Sequence, residues 1–272
     1  MRVPFIKMHG LGNDFVVLDA REGLGVTVDT ALARALANRH TGIGCDQLIL
    51  LEPSVTADFR MRIFNPDGGE VEACGNATRA VGLLHGKPAR IETLGGELAS
   101  DPAPGGIAVD MGTPRFGWDE IPLAYAMDTL TMPVGWEDLD APTAVNVGNP
   151  HVIFFVPDCE AVELDRLGPL IEHDPLFPER INVNVCTITD RTHIRLRVWE
   201  RGAGLTLACG TGACATAIGA MRRGLVERDV EVTLPGGPLR IQWTEAGRIR
   251  MTGPATEAFR GTFDPAAYGV AG

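Results

Sequence analysis

No apolar run in the 272 residues reaches the length of about 18 that a membrane helix needs, so no membrane partner is expected. The opening residues, Met1-Arg2-Val3-Pro4-Phe5-Ile6-Lys7-Met8-His9, lack the apolar core of a secretory signal, and a cytoplasmic protein is the expectation. Positive charge is scarce: 24 Lys and Arg stand against 35 Asp and Glu, a net charge of −11. That balance argues against nucleic acid or an anionic membrane surface as the main partner, though a local field can still hold an anionic small molecule. None of the six cysteines (Cys45, Cys74, Cys159, Cys186, Cys209, Cys214) forms Cys-x-x-Cys, so a metal site has little support, and in a reducing compartment they are expected as thiols. A GxxxxGK[ST] loop and a GxGxxG after a strand are both absent, which removes the usual phosphate cradles. With 45% apolar and 22% charged residues, the composition is that of a soluble globular protein of about two domains.

What the chain does contain is a pair. Ala73-Cys74-Gly75-Asn76-Ala77-Thr78-Arg79-Ala80 and Ala208-Cys209-Gly210-Thr211-Gly212-Ala213-Cys214-Ala215 each set Ala-Cys-Gly before small, helix-compatible residues. Cys74 and Cys209 are 135 residues apart (209 − 74), and a shift of 135 or 136 brings other residues into register. Asn65 falls on Glu200, Gln47 on Asn182, and Gly12-Asn13 on Gly148-Asn149, each of the last two leading into an apolar run. This reads as an internal duplication of one domain. Duplicated domains tend to set their copies of a site across the crevice between them, so two thiols acting on opposite faces of one atom are expected.

The elements repeat in the same order. Strands are predicted at 3–8 and 14–19, a helix at 29–39 with Asp29 as N-cap, strands at 48–52 and 59–64, and a helix from Cys74 to about His85. Short glycine- and proline-punctuated strands follow up to Gly112. After a Pro-rich stretch to about Pro142, strands are predicted at 144–147, 152–156, 181–187 and 193–199, and helices at 163–173 and from Cys209 to about Arg223. The last strands are expected at 230–234, 239–243 and 248–252. The fold class is α+β: two similar domains, each a curved, mostly antiparallel sheet around a central helix. Their expected limits are 1–113, carrying Cys74, and 114–258, carrying Cys209, with the tail from about 259 to 272 left open to return to the first.

A thiol in a glycine loop at a helix start stands where unpaired N–H groups favour an anion, either a thiolate or a bound carboxylate. Two such ends could stabilise the charge that develops when an amino acid loses its α-proton. One cysteine would remove that proton as thiolate and the other, as thiol, would return one to the opposite face, with no metal and no pyridoxal phosphate. A lone cysteine is more often packing, and Cys45, Cys159, Cys186 and Cys214 are read that way. A Cys/His nucleophile with His151 as base leaves the second Cys-Gly loop unexplained. His151 instead receives a supporting electrostatic role, and His9, His40, His85, His173 and His193 are read as surface or structural.

At these residues the chain resembles the diaminopimelate epimerases. The resemblance rests on Lys7-Met8-His9-Gly10-Leu11-Gly12-Asn13-Asp14-Phe15-Val16, Gly44-Cys45-Asp46-Gln47, Phe64-Asn65 with Asp67-Gly68, and Cys74-Gly75-Asn76. It continues through Gly148-Asn149-Pro150-His151, Asn182-Val183, Trp199-Glu200-Arg201-Gly202 and Leu207-Ala208-Cys209-Gly210-Thr211-Gly212, in order over nearly the whole chain. It implies two domains with pseudo-twofold symmetry, no cofactor, and interconversion of LL- and meso-2,6-diaminopimelate in lysine and peptidoglycan precursor synthesis. It implies Cys74 and Cys209 as the acid/base pair, and Gly75-Asn76 and Gly210-Thr211 as donors of backbone amides to the reacting carboxylate. Asn13, Gln47, Asn65, Asn149, Asn182, Glu200 and Arg201 match its substrate-binding set, and the expected assembly is a homodimer. Two departures stand beside the site: Ala77-Thr78, where a smaller pair is frequent, and Leu205, where Glu is common. The alternatives are a proline or hydroxyproline racemase, in which His would replace Asn76, and a non-catalytic amino-acid-binding module, which would not need both cysteines.

Overall fold

The computed structural model describes residues 2–72 and 74–269. Ala73, from the first cysteine stretch, and the last three residues of the tail lie outside them. The chain forms two compact units, one made of the residues up to Val109 and from Gly253 on, the other of Asp110–Thr252. The division at 109/110 and 252/253 stands against 113/114 and 258/259 expected from the sequence.

In the first unit β1 (Val3–Gly10) pairs antiparallel with β2 (Asn13–Asp19). β2 runs parallel to β3 (Gln47–Glu52), and β3 antiparallel to β4 (Phe59–Phe64). β4 pairs with the two-residue β5 (Glu70–Val71) and, in parallel, with β6 (Ala89–Thr93). β6, β7 (Gly96–Ala103) and β8 (Gly106–Asp110) finish the order as antiparallel neighbours. The alternation in Phe59-Arg60-Met61-Arg62-Ile63-Phe64 is real: Phe59, Met61 and Ile63 are buried while the arginines between them are half-buried. α1 (Thr30–Ala37) packs its buried Leu32, Ala33 and Leu36 against Val16, Leu18 and Leu48, each large apolar side chain contributing about 1.5–3 kcal/mol. Asp29 caps it by accepting the Leu32 N–H. α2 (Gly75–His85) lies in a separate apolar cluster with Phe15, Ile49, Met61 and Ile63.

The second unit repeats that succession of pairings. After a two-strand hairpin, β9 (Gly135–Trp136) with β10 (Leu139–Asp140), β11 (Thr143–Asn146) pairs antiparallel with β12 (Pro150–Phe155). β12 is parallel to β13 (Asn182–Asp190), which is antiparallel to β14 (His193–Glu200). β14 pairs with the short β15 (Gly204–Thr206) and, in parallel, with β16 (Asp229–Leu234). β17 (Gly237–Trp243) and β18 (Ile249–Gly253) follow antiparallel. Even the register carries over: Phe15 opposes Gln47 as His151 opposes Asn182, and Ile63 opposes Val71 as Val198 opposes Thr206. α3 (Leu164–Glu172) covers one face of the sheet, in a cluster with Phe154, Val183 and Val185. α4 (Gly210–Arg222) is buried on every side from Gly212 to Met221, because Gly, Ala and Thr let strands close on it all round.

The duplicated turns show why glycine recurs. Gly12 has φ +92° and Gly148 φ +111°, the left-handed region where a Cβ is disfavoured, and no atom crowds Gly148. The backbone shape alone sets the residue there. The two- and three-residue strands β5, β9, β10 and β15 were not expected, and neither was one long strand: β19 (Thr256–Phe263) pairs antiparallel with β1, and its exposed residues carry no apolar alternation that would mark it.

Candidate active site

Cys74 and Cys209 occupy the same structural position, the N-cap of α2 and of α4. Both have extended backbones, and both sulfurs accept an N–H from the helix's first turn, Ala77 N at 3.5 Å and Gly212 N at 3.3 Å. Ser, Thr, Asp or Asn usually fills this position. Cysteine here puts a titratable sulfur at the positive helix end, an effect of about 0.3–1 kcal/mol in favour of an anion.

In the first unit Asn13, at the start of β2, turns its Oδ1 to Cys74 Sγ at 3.9 Å and to Asn76 Nδ2 at 3.1 Å. Its own Nδ2 donates to Asp46 Oδ2 at 3.0 Å. A carboxylate only accepts, so this contact fixes which end of the amide faces the sulfur. Asp46 is itself clamped. Its Oδ2 accepts the Asp14 N–H and its N–H donates to Asp14 Oδ1, both at 3.1 Å. Arg39 bridges Asp14 and Asp46 at 2.6 and 2.7 Å, and Lys7 Nζ holds Asp14 and the Gly44 carbonyl. Burial alone would raise the Asp14 pKa, but Arg39 and Lys7 outweigh it and hold the carboxyl at about 2. Gln47 and Asn65, at the ends of the paired β3 and β4, form a second polar pair, Nε2 to Oδ1 at 3.2 Å. Thr78 donates its hydroxyl to Cys74 O at 2.9 Å, so this departure from the family pattern joins the first turn of α2.

The second unit surrounds its sulfur differently. Cys209 is buried, and Thr211 Oγ1 stands 3.6 Å from Sγ. Burial, and after it the charge of Glu200, pushes the Cys209 thiol well above its usual range, against the smaller pull of Thr211 and Gly212. From Thr211 the contacts run on: Asn149 to Thr211 at 3.3 Å, Asn149 to His151 Nε2 at 3.0 Å, His151 Nδ1 to Asn184 Oδ1 at 3.3 Å. His151 is fully buried. Desolvation first, and the Arg201 charge after it, pulls its pKa down to about 4 although Asn184 works the other way. Burial thus favours the neutral ring near pH 7.

Asn182 has both amide ends on backbone, accepting from Arg201 N at 2.9 Å and donating to Pro150 O at 2.8 Å. It thus ties the Glu200-Arg201 turn to the start of β12. The Arg201 guanidinium is exposed and donates to Glu179 O at 3.0 Å. Leu205, the other departure, is exposed in β15 opposite Trp199. Among the described residues no three His, Cys, Asp or Glu side chains gather as metal ligands.

Sequence reasoning passed over three supports. Asp46 lay inside a quoted motif, but only the fold shows that it orients Asn13. Glu172, 2% exposed, accepts from Trp199 Nε1 at 2.7 Å and from Gly202 N at 3.0 Å, holding the turn that carries Glu200 and Arg201. Asn184 is wholly buried two residues after Asn182, and a second asparagine on one face of an apolar strand was the available signal.

Over residues 5–117 and 143–257 the sequence matches the family described as Diaminopimelate epimerase. It is 69% identical to the diaminopimelate epimerase of Erythrobacter litoralis over 97% of this chain and 98% of that one. It is 66% identical to that of Rhizorhabdus wittichii over 99% and 98%. Among solved structures, a phenazine biosynthesis protein of the PhzF family from Enterococcus faecalis superposes with a TM-score of 0.71 at 15% identity, covering 97% of this chain and 100% of that one. At that identity the likeness concerns the fold alone.

Proposed function

The chain belongs to the diaminopimelate epimerase family, and from that premise we propose that Cys74 and Cys209 are the two bases of an enzyme interconverting LL- and meso-2,6-diaminopimelate. The observation that carries the assignment of these two residues is the repeated cysteine N-cap: two copies of one sheet frame each present a sulfur at a helix start.

An amino-acid α-hydrogen leaves only if the charge spreading into the carboxylate is stabilised. Backbone N–H groups at Gly75-Asn76 and Gly210-Thr211 are the proposed donors, pre-aimed by the helix starts, and removing one donor of this kind typically costs about 10²–10³ in rate. The thiolate of one cysteine takes the α-proton and becomes a thiol. The thiol of the other gives its proton to the opposite face and becomes a thiolate. One proton leaves the carbon and one arrives, the charge balances, and the centre inverts. Reversal starts from the other sulfur. The burial and the Glu200 carboxylate that keep Cys209 protonated suit it to the acid role in the substrate-free enzyme.

Asn13, Gln47, Asn65, Asn149, Asn182, Glu200 and Arg201 are the proposed binding set. Arg201 can fork a carboxylate and Glu200 can meet an ammonium. The reading extends to a homodimer working in the cytoplasm, where its product feeds lysine and peptidoglycan precursor synthesis. No described helix is long and apolar enough to cross a membrane.

The test is LL-diaminopimelate in heavy water. The purified protein should form the meso isomer and place solvent deuterium at the inverted α-carbon. An amino-acid-binding module would do neither, and failure of both readouts would overturn the proposal.

A further inference from the structure

The internal duplication isolates three buried positions in the second unit. His151, Asn184 and Thr216 correspond, by the shift of 135 or 136, to Phe15, Ile49 and Val81. In the first unit those three lie together in the apolar cluster under α2, each fully buried. In the second, all three are polar and still fully buried. Apolar side chains fill this place in the frame without any need for partners, so packing does not ask for the polar trio.

The hydrogen bonds of the trio leave little freedom. Asn184 Nδ2 donates to Gly212 O at 3.0 Å and to Thr216 Oγ1 at 2.9 Å. Gly212 O is a backbone carbonyl and only accepts, so the amide of Asn184 cannot be reversed. Its Oδ1 therefore faces His151 Nδ1, and in a neutral ring the proton must sit on Nδ1. Nε2 is then a bare lone pair. As placed, Asn149 sets its Oδ1 3.0 Å from Nε2 and its Nδ2 3.3 Å from Thr211 Oγ1. A lone pair on Nε2 calls for the donor instead, so the amide is assigned turned over, with Nδ2 toward His151 and Oδ1 toward Thr211. Thr211 gives its hydroxyl proton to that oxygen and offers a lone pair to Cys209, the arrangement that receives an S–H.

We propose that Asn184 is a positioning residue: by fixing the tautomer of His151 it sets the direction of a hydrogen-bond chain, Asn184–His151–Asn149–Thr211, that ends at Cys209. The chain presents Thr211 to Cys209 as an acceptor, beside the Glu200 carboxylate. When Cys209 becomes a thiolate, only the Thr211 hydroxyl has to rotate; the buried part of the chain stays as it is. The catalytic meaning rests on the proposed epimerase reading, whereas the tautomer is a property of the protein without substrate.

The test combines nitrogen-15 NMR of the histidine rings with kinetics of Asn184→Leu, a substitution of similar size that removes the acceptor at Nδ1. In the native protein at pH 7 the His151 ring, assigned by its loss in His151→Gln, should be neutral with the proton on Nδ1. In Asn184→Leu the proton should move to Nε2, and kcat for epimerisation should fall about 10–100-fold, the usual effect of losing the partner that orients a functional histidine, with KM little changed. A native ring protonated on Nε2, or on both nitrogens, would overturn the proposal whether or not the variant folds. So would an Asn184→Leu protein that keeps Nδ1–H, or one that changes tautomer and keeps full kcat. A protein with the Nδ1–H ring that fails to epimerise diaminopimelate would sink the enzymatic reading and leave Asn184 as the residue that fixes the tautomer.

Discussion

The first unit braces its cysteine with charge, the second with neutral groups. Asp14 and Asp46, with Lys7 and Arg39, hold the Asn13 amide beside Cys74. The same shift places Pro150 and Ile181 where those two aspartates stand, so the ion network has no counterpart in the second copy. There a buried imidazole and three asparagines do the orienting. The two copies share a strand order, a register and a cysteine N-cap. The frame decides where the sulfur stands. The side chains around it decide which proton it holds: Asn13 Oδ1 beside Cys74 can only accept, while Thr211 beside Cys209 can turn and do either.

The largest expected effect treats the copies as equals. Cys74→Ser and Cys209→Ser each remove a proposed general acid/base and keep the volume, so each should lower the epimerisation kcat by about 10²–10⁴-fold. A variant within tenfold of the native rate would mean that the two sulfurs are not partners. A smaller loss should come from a feature only one copy has. Arg201 corresponds to Pro66, so the cation belongs to the second unit alone. Arg201→Lys keeps the charge and loses the fork, and kcat/KM should drop by about 2–4 kcal/mol in barrier. A near-normal value would place the guanidinium away from the substrate.

pH should tell the braces apart. Below the usual histidine value of 6.5 the unfolded chain takes up a proton that folded His151 refuses until about 4, so stability should fall as pH drops through that window. The loss reaches about 3 kcal/mol, and His151→Gln should flatten it in denaturant titrations between pH 7 and 4.5. Asp14 runs lower. With its pKa held at about 2 against 3.8, its contribution is present above 3.8 and lost as pH falls toward 2. Asp14→Asn should therefore change the slope only in that lower window, and equal slopes for both variants would contradict the contrast. The smallest effect concerns the first brace. Asp46→Asn no longer dictates which end of Asn13 faces the sulfur, and kcat/KM should fall about five- to tenfold, the worth of one hydrogen bond to a charged group. No change would show that Asn13 is oriented by Asn76 alone.

Much of this was legible in sequence because the duplication lets each half check the other. The Cys74 and Cys209 loops, the Gln47/Asn182 strand starts and the Gly12/Gly148 turns repeat at an offset of 135 or 136, and repeated positions mark frame. The braces were not legible because they do not repeat. Glu172 reaches Trp199 and Gly202 from 27 and 30 residues away, and Asp46 meets Asn13 across 33. β19 was missed for another reason: edge residues exposed on both faces carry no period-two signal, and only the pairing with β1 reveals the strand.

The central claim is that the two cysteines are equivalent bases of opposite hand. The most direct measurement uses an analogue with a leaving group on the β-carbon. Elimination then replaces reprotonation, and a single base suffices. Cys74→Ser and Cys209→Ser should each be nearly inactive as epimerases, yet each should eliminate the leaving group from one stereoisomer, and the two should choose opposite stereoisomers. If one variant is inactive toward both stereoisomers while the other stays close to native, a single nucleophile does the chemistry and the two-base account is wrong.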